Sequence, residues 1–171
     1  MSTPGRLLAL AVGASAAALP ASLSGATPAA CKAANLTTRM AAISGSAGAG
    51  HISYAVSLVN QGSHACTVSG RPGIELLDAD KHPLPTHIVA DHPGTGTAAL
   101  ITIAHLHRAI SVARFSPDVP GEGEGTPCEK KAHYIRVTVP SPGHGILDGH
   151  VLPATPVCEH GRIVLGLLHG S

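Results

Sequence analysis

The chain has 171 residues, 12% of them charged, with 11 Lys and Arg against 10 Asp and Glu. So even a balance gives no electrostatic case for nucleic acid or an anionic membrane, since both call for a basic excess. With no Trp, one Phe and two Tyr, a core must be built from Val, Ile, Leu and Ala, and the length suits one domain plus an export signal.

The N-terminal segment reads as that signal. Arg6 precedes the apolar run Leu7 to Leu19, Pro20 breaks it, and small residues reach Ser24-Gly25-Ala26. This order suits a signal peptide over residues 1–26, cleaved before Thr27 or at the latest after residue 30, followed by one domain over 31–171. The run is too short to cross a bilayer, and no later stretch approaches the roughly 20 apolar residues a span needs. The mature chain is therefore expected to lack a transmembrane segment and to be secreted or extracytoplasmic. The alternative is a lipid anchor on Cys31, although Pro28 stands where a lipidation motif wants Leu.

Four cysteines follow the signal: Cys31, Cys66, Cys128 and Cys158. An even count in an exported chain reads as two disulfides, with three pairings open. Cys31–Cys66 with Cys128–Cys158 is favoured, because each bond then closes a loop within one half of the chain. A four-cysteine zinc site would call for a Cys-x-x-Cys knuckle, and none is present.

From here on apolar residues alternate, with little helical period. Strands are expected at Leu36 to Ser44, His51 to Asn60, Ala65 to Ser69, Ile74 to Asp78 and Thr86 to Ala90. Further ones are expected at Ala98 to Leu106, Ala109 to Phe115 and His133 to Val139. A short edge strand at Gly149 to Leu152 and a last strand at Arg162 to Leu168 complete the set. In the clearest, Ile52, Tyr54, Val56 and Leu58 share a face opposite Ser53 and Ser57. The connectors are rich in Gly and Pro, the longest running from Ser116 to Pro127. Eight or nine short strands at this spacing suit a sandwich.

The stretch NQGSHACTVSGRPGIELLD, Asn60 to Asp78, compresses this logic. Asn60 to Ser63 is turn chemistry. Cys66 opens the next strand. Pro72 fixes one φ and Gly73 permits an unusual one, so the chain bends before Ile74 and Leu76 resume alternation. Each element has a folding explanation.

The same residues carry a family resemblance. Gly50-His51 opens a strand, Asn60 closes it, and a Cys-Thr-Val-x-Gly-x-Pro-Gly run spans Cys66 to Gly73. Cys128, a strand ending at Pro140, and Cys158 follow. The chain resembles the domain of unknown function 4232 family, found in exported actinobacterial proteins, over nearly all of its length from Cys31. The resemblance implies a compact extracytoplasmic β-sandwich and brings no activity, ligand or catalytic residue. This chain departs from it in its wealth of histidine and in His105 and His107 within the strand after Gly96.

Its 12 histidines are the compositional anomaly. His105 and His107, two apart on a strand, would face one side and offer two imidazoles to zinc or copper, with His51, His64 or His133 as a third ligand. The plainer reading makes them solvent-facing. His82, His87, His92, His144, His150, His160 and His169 sit near Pro or Gly and read as exposed loop residues. Histidine ordinarily gains its charge as pH falls from 7 toward 5, so the mature chain would turn cationic. pH-dependent association with an anionic envelope polymer follows as a hypothesis; mere solubility is its plain counterpart.

Enzyme signatures are missing. The chain has no Gly-x-Ser-x-Gly elbow, His-Glu-x-x-His pair, phosphate loop or Gly-x-Gly-x-x-Gly fingerprint. Glu122 and Glu124 sit between glycines, where carboxylates are too solvated for tuned acid–base work. Asn35-Leu36-Thr37 matches a glycosylation sequon, a pattern common by chance. The sequence thus predicts an all-β, immunoglobulin-like antiparallel sandwich of about eight strands stapled by two disulfides. It predicts no enzyme and no cofactor, but a binding module for a protein or a cell-envelope polymer. A zinc or copper protein centred on His105 and His107 is the alternative, and a hydrolase a distant third.

Overall fold

The structure, a computed structural model, describes residues 27–94, 98–117, 128 and 130–171. The signal segment 1–26, Gly96, Glu122 and Glu124 lie outside the described residues. The fold is all-β, a sandwich held by the Cys31–Cys66 and Cys128–Cys158 disulfides.

The small sheet has β4 (Cys66–Ser69) at its centre, β1 (Ala29–Ala30) on one side and β7 (Leu100–Ile103) on the other. The remaining strands of the large sheet are β2 (Leu36–Ala42), β3 (Ile52–Asn60), β5 (Gly73–Leu77), β6 (His87–Ala90), β8 (Arg108–Phe115), β9 (Ala132–Thr138), β10 (Ile146–Thr155), β11 (Arg162–Leu165) and β12 (His169–Gly170). They lie in the order β5-β9-β10-β2-β3-β8-β11-β6, with β12 alongside β8. The ends of this long sheet nearly meet. Leu84 N–H donates to Leu76 O at 2.8 Å, and Leu76 N–H donates to Thr86 Oγ1 at 2.9 Å, so the segment entering β6 is tied to β5.

Alternation explains which side faces in. Tyr54, Val56 and Leu58 on β3 meet Ala113, Ser111 and Ala109 on β8 in register, and all six are buried. Met40, Leu76, Ile135, Val137, Ile163 and Leu165 complete the centre of the core. Each large aliphatic side chain removed from water contributes on the order of 2 kcal/mol. The two buried aromatics stack, Tyr54 on Phe115, with ring centroids 5.2 Å apart.

Two expectations are corrected. The sandwich is not antiparallel throughout: β1 with β4, β10 with β2 and β11 with β6 pair in parallel. The expected short edge strand at Gly149 to Leu152 is instead the 10-residue β10, enclosed between β9 and β2. Gly149 and Pro153 disguise it, since both residues read as edge or bulge signals. A Cβ on Gly149 would sit 2.1 Å from Thr38 O, so the parallel neighbour demands glycine there. Pro153 falls at the register shift between His150 and Thr155, where no ladder bond is lost.

β1 also bears on the signal boundary. Thr67 Oγ1 donates to Pro28 O at 3.2 Å, and Ala29 and Ala30 pair with Cys66 and Thr67. Cleavage before Thr27 preserves this strand, whereas cleavage after residue 30 deletes it.

Candidate functional site

β3 runs toward Asn60, and β2 and β8 begin beside it, since Leu36 pairs with Asn60 and Arg108 with Val59. One end of the sandwich therefore gathers the 3₁₀ turn Ala33–Asn35, the β3–β4 loop, the β7–β8 turn, the β9–β10 turn and the C-terminal residues. Asn60 organises it. Its side chain is buried, and Nδ2 donates to His64 O at 2.8 Å and to Ile103 O at 2.9 Å. Its Oδ1 accepts from Gly62 N–H at 2.9 Å. One amide thus satisfies three backbone groups that the turn would otherwise leave without partners. Gly62 fits closely here: a Cβ would stand 3.1 Å from Asn60 Oδ1 and 3.3 Å from Asn35 Cβ.

Beside this turn lies an open cleft of about 270 Å³. Cys66 lines it, bonded to Cys31 with Cα atoms 4.8 Å apart. Lys32, Asn35, Ser63 and His64 line it, together with the small side chains of Ala29, Ala30 and Ala65. Lys32 and His64 are both exposed, and neither is ion-paired to any described residue. Ser63 Oγ lies 2.9 Å from His64 Nδ1. At the rim, His105 Nδ1–H donates to Gly62 O at 2.8 Å.

The charge census of this end is one-sided. Arg108 starts β8, His107 O accepts from Asn60 N–H, and His144 O accepts from Ala33 N–H. His169 pairs with Ile110 on β8. No Asp or Glu occurs in any of these segments. The opposite end is mixed. There Asp78 Oδ1 accepts from the N–H groups of Asp80 and His82, each at 2.9 Å, and Asp78 Oδ2 is 3.6 Å from His82 Nδ1. The His82 N–H holds the Asp78 carboxyl below its ordinary value, helped by the Asp80 N–H and the nearby imidazole and opposed by desolvation. Glu159 lies between Ser116 Oγ at 3.2 Å and Arg162 Nη1 at 3.8 Å.

Several sequence expectations look different in place. His105 and His107 do not lie on a strand: β7 ends at Ile103, and the two histidines flank Leu106, whose φ of 62° makes a turn. The same-face argument of alternation therefore does not apply to them. Of the three candidate third ligands, His51 sits in the β2–β3 hairpin and His133 at the start of β9, both at the opposite end. The nine-residue β3 separates His51 from the Asn60 end by roughly 30 Å. Only His64 shares the end with His105. Among the described residues, Asp78, Asp80 and His82 are the group whose ligand atoms converge, within 4.8 Å. The backbone bonds above already explain that cluster as a turn. Cys31 Sγ is bonded to Cys66, so in this structure it is not free to carry a lipid.

Gly70 to Gly73 is a brace. Arg71 Nε donates to Leu165 O at 2.6 Å and Nη2 to Asp91 O at 3.3 Å, while Gly70 O accepts from Leu168 N–H at 2.8 Å. Lys32 and His64 were missed as a pair by sequence reasoning. The signal was available: Lys32 follows Cys31 and His64 precedes Cys66 by two, so the favoured disulfide itself brings them together.

Residues 31–167 match the family model described as "Domain of unknown function (DUF4232)". This match spans most of the chain, and the protein belongs to that family. No curated protein and no solved structure matches it.

Proposed function

We propose that this protein works outside the cytoplasm as a binding module, and that its Asn60 end engages an anionic polymer of the cell envelope more strongly as pH falls. The absence of Asp and Glu from the loops and turns that build that end carries the reading; Asp148 and Glu75, on the strands behind them, are both held by Arg136. Arg108 and Lys32 are fixed cations there, and five histidines surround them. Of the 12 histidines, His133 is half-buried and the others are exposed, so protonation changes surface charge without taking charge into the core. Histidine is the side chain whose charge ordinarily changes between pH 8 and 5.

Two disulfides and the lack, among the described residues, of a helix long and apolar enough to cross a membrane accord with an extracytoplasmic role. Binding accounts for the end better than hydrolysis does. Ser63 contacts the Nδ1 of the adjacent His64, the nitrogen a catalytic histidine normally turns toward its orienting carboxylate, and no Asp or Glu among the described residues pairs with that ring. The expected test result is retention on an immobilised phosphate- or carboxylate-bearing polymer at about pH 5.5 that weakens sharply by about pH 7.5 and with added salt. Equal retention at both pH values, or none at either, would overturn the reading.

A further inference from the structure

We propose that the cleft beside the Cys31–Cys66 bond is an oxyanion subsite in which Lys32 and His64 hold one phosphate or carboxylate group, with His64 protonation as the switch. This rests on the binding role proposed above and narrows it to one place. The disulfide is the structural reason. It sets the Cα atoms of Cys31 and Cys66 4.8 Å apart, so the cation after the first cysteine and the imidazole two before the second line the same cleft. A lone exposed ammonium is weakened by salt and by its own mobility. A second donor in a cleft partly lined by alanine and cystine adds geometry and removes water from one side.

The Ser63–His64 contact gives the switch a second component. While His64 is neutral with Nδ1 unprotonated, the Ser63 hydroxyl donates to that nitrogen. Once the ring is charged, Nδ1–H donates to Ser63 Oγ instead. The hydroxyl proton is then free to turn toward a bound oxygen, so one proton supplies both a charge and a redirected donor. The other side chains of this end that the neighbouring loops and turns carry are neutral or basic. Asn35 and Lys32 come from the 3₁₀ turn and its N-terminal side, and His144 from the β9–β10 turn. His105 and His107 come from the β7–β8 turn, Arg108 from the start of β8, and His169 from β12. A bound anion favours the charged form of a nearby imidazole, and a charged imidazole favours the anion. Anion binding and proton uptake must therefore strengthen each other.

At about 270 Å³ the cleft is smaller than the roughly 300–1,000 Å³ of sites that enclose a whole small molecule. It suits one charged unit of a longer chain. The test is an NMR titration of the full mature chain with inorganic phosphate and, separately, acetate, at about pH 5.5 and 7.5. The wild type is compared with Lys32→Ala, His64→Gln and the far-end control His82→Gln. Lys32, His64 and His82 are all exposed, so none of these changes removes core.

At the lower pH, phosphate is expected to shift the His64 ring signals first, and the ring to take up its proton at higher pH when phosphate is present. Either cleft substitution should weaken binding about tenfold, and His64→Gln should remove most of its pH dependence, while His82→Gln changes neither. A shift with phosphate alone assigns the subsite to phosphate units, and one with acetate as well assigns it to oxyanions in general. Shifts spread evenly over all histidines, or full pH dependence in His64→Gln, overturn the subsite. Polymer retention that survives both cleft substitutions also overturns the subsite and leaves the binding role standing. A wild type that binds phosphate in the cleft but no polymer overturns the binding role and leaves the subsite.

Discussion

The two ends of the sandwich treat charge in opposite ways. At the far end Asp78 accepts two backbone N–H groups and faces His82, and Glu159 lies between Ser116 and Arg162. Those charges hold turns in shape. At the Asn60 end the turn is shaped by a neutral, buried amide, and Lys32 is ion-paired to no described residue. An end whose local structure is satisfied without charge is free to offer its charge outward. Functional surface is therefore better recognised by what the fold does not consume than by how many ionisable groups it has.

The largest effect separates the two disulfides. They close loops of similar length, 35 and 30 residues, so loop entropy assigns each about 4 kcal/mol. Replacing either pair by alanine should lower stability to urea by about that amount. Only Cys31→Ala/Cys66→Ala should also abolish polymer retention. Retention by that variant under conditions where it is folded would show that the end does not need its cleft.

Asn60→Ala comes next. It strands His64 O, Ile103 O and the Gly62 N–H, and should cost about 3 kcal/mol in a denaturant titration. A loss under about 1 kcal/mol would mean that water replaces the amide freely and that Asn60 does not frame this end.

Asp78 gives a smaller, pH-dependent contrast. Its carboxyl is lowered from 3.8, chiefly by the His82 N–H. The folded state thus prefers the charged form, so its contribution is present above the ordinary carboxylate value and disappears as pH falls through the lowered one. Stability followed from pH 6 down to 2 should fall less steeply in Asp78→Asn than in the wild type. Identical acid profiles would remove the far-end turn from the comparison. The smallest effect belongs to His82→Ala, which should leave polymer retention at about pH 5.5 unchanged. A loss comparable with that of His64→Gln would spread binding over both ends and dissolve the contrast.

Much of the frame was legible from residues. Ile52, Tyr54, Val56 and Leu58 announce β3, and the observed strand Ile52–Asn60 starts one residue after the expected boundary. Pro72 and Gly73 announce the bend before β5. β10 was not legible, because its Gly149 and Pro153 answer to a parallel neighbour and a register shift, features of pairing that leave no local trace. His105 and His107 misled for a related reason. The apolar run around them continues past Ile103, yet Leu106 turns with φ of 62° because Asn60 binds its N–H and the His107 carbonyl there. Distant hydrogen bonds ended the strand before propensity did.

By itself the sequence determined a pleated, aliphatic, twice-crosslinked domain. Period-two alternation, Pro and Gly dihedral limits and an even cysteine count act over a few residues and need no knowledge of the whole. Only the tertiary structure decided that basic and histidine residues of five separate segments, none of which contains Asp or Glu in its loop or turn, share one end. Alternation fixes which side of a strand a residue faces. The strand order β5-β9-β10-β2-β3-β8-β11-β6 and the hydrogen bonds of one buried asparagine fix which loops become neighbours.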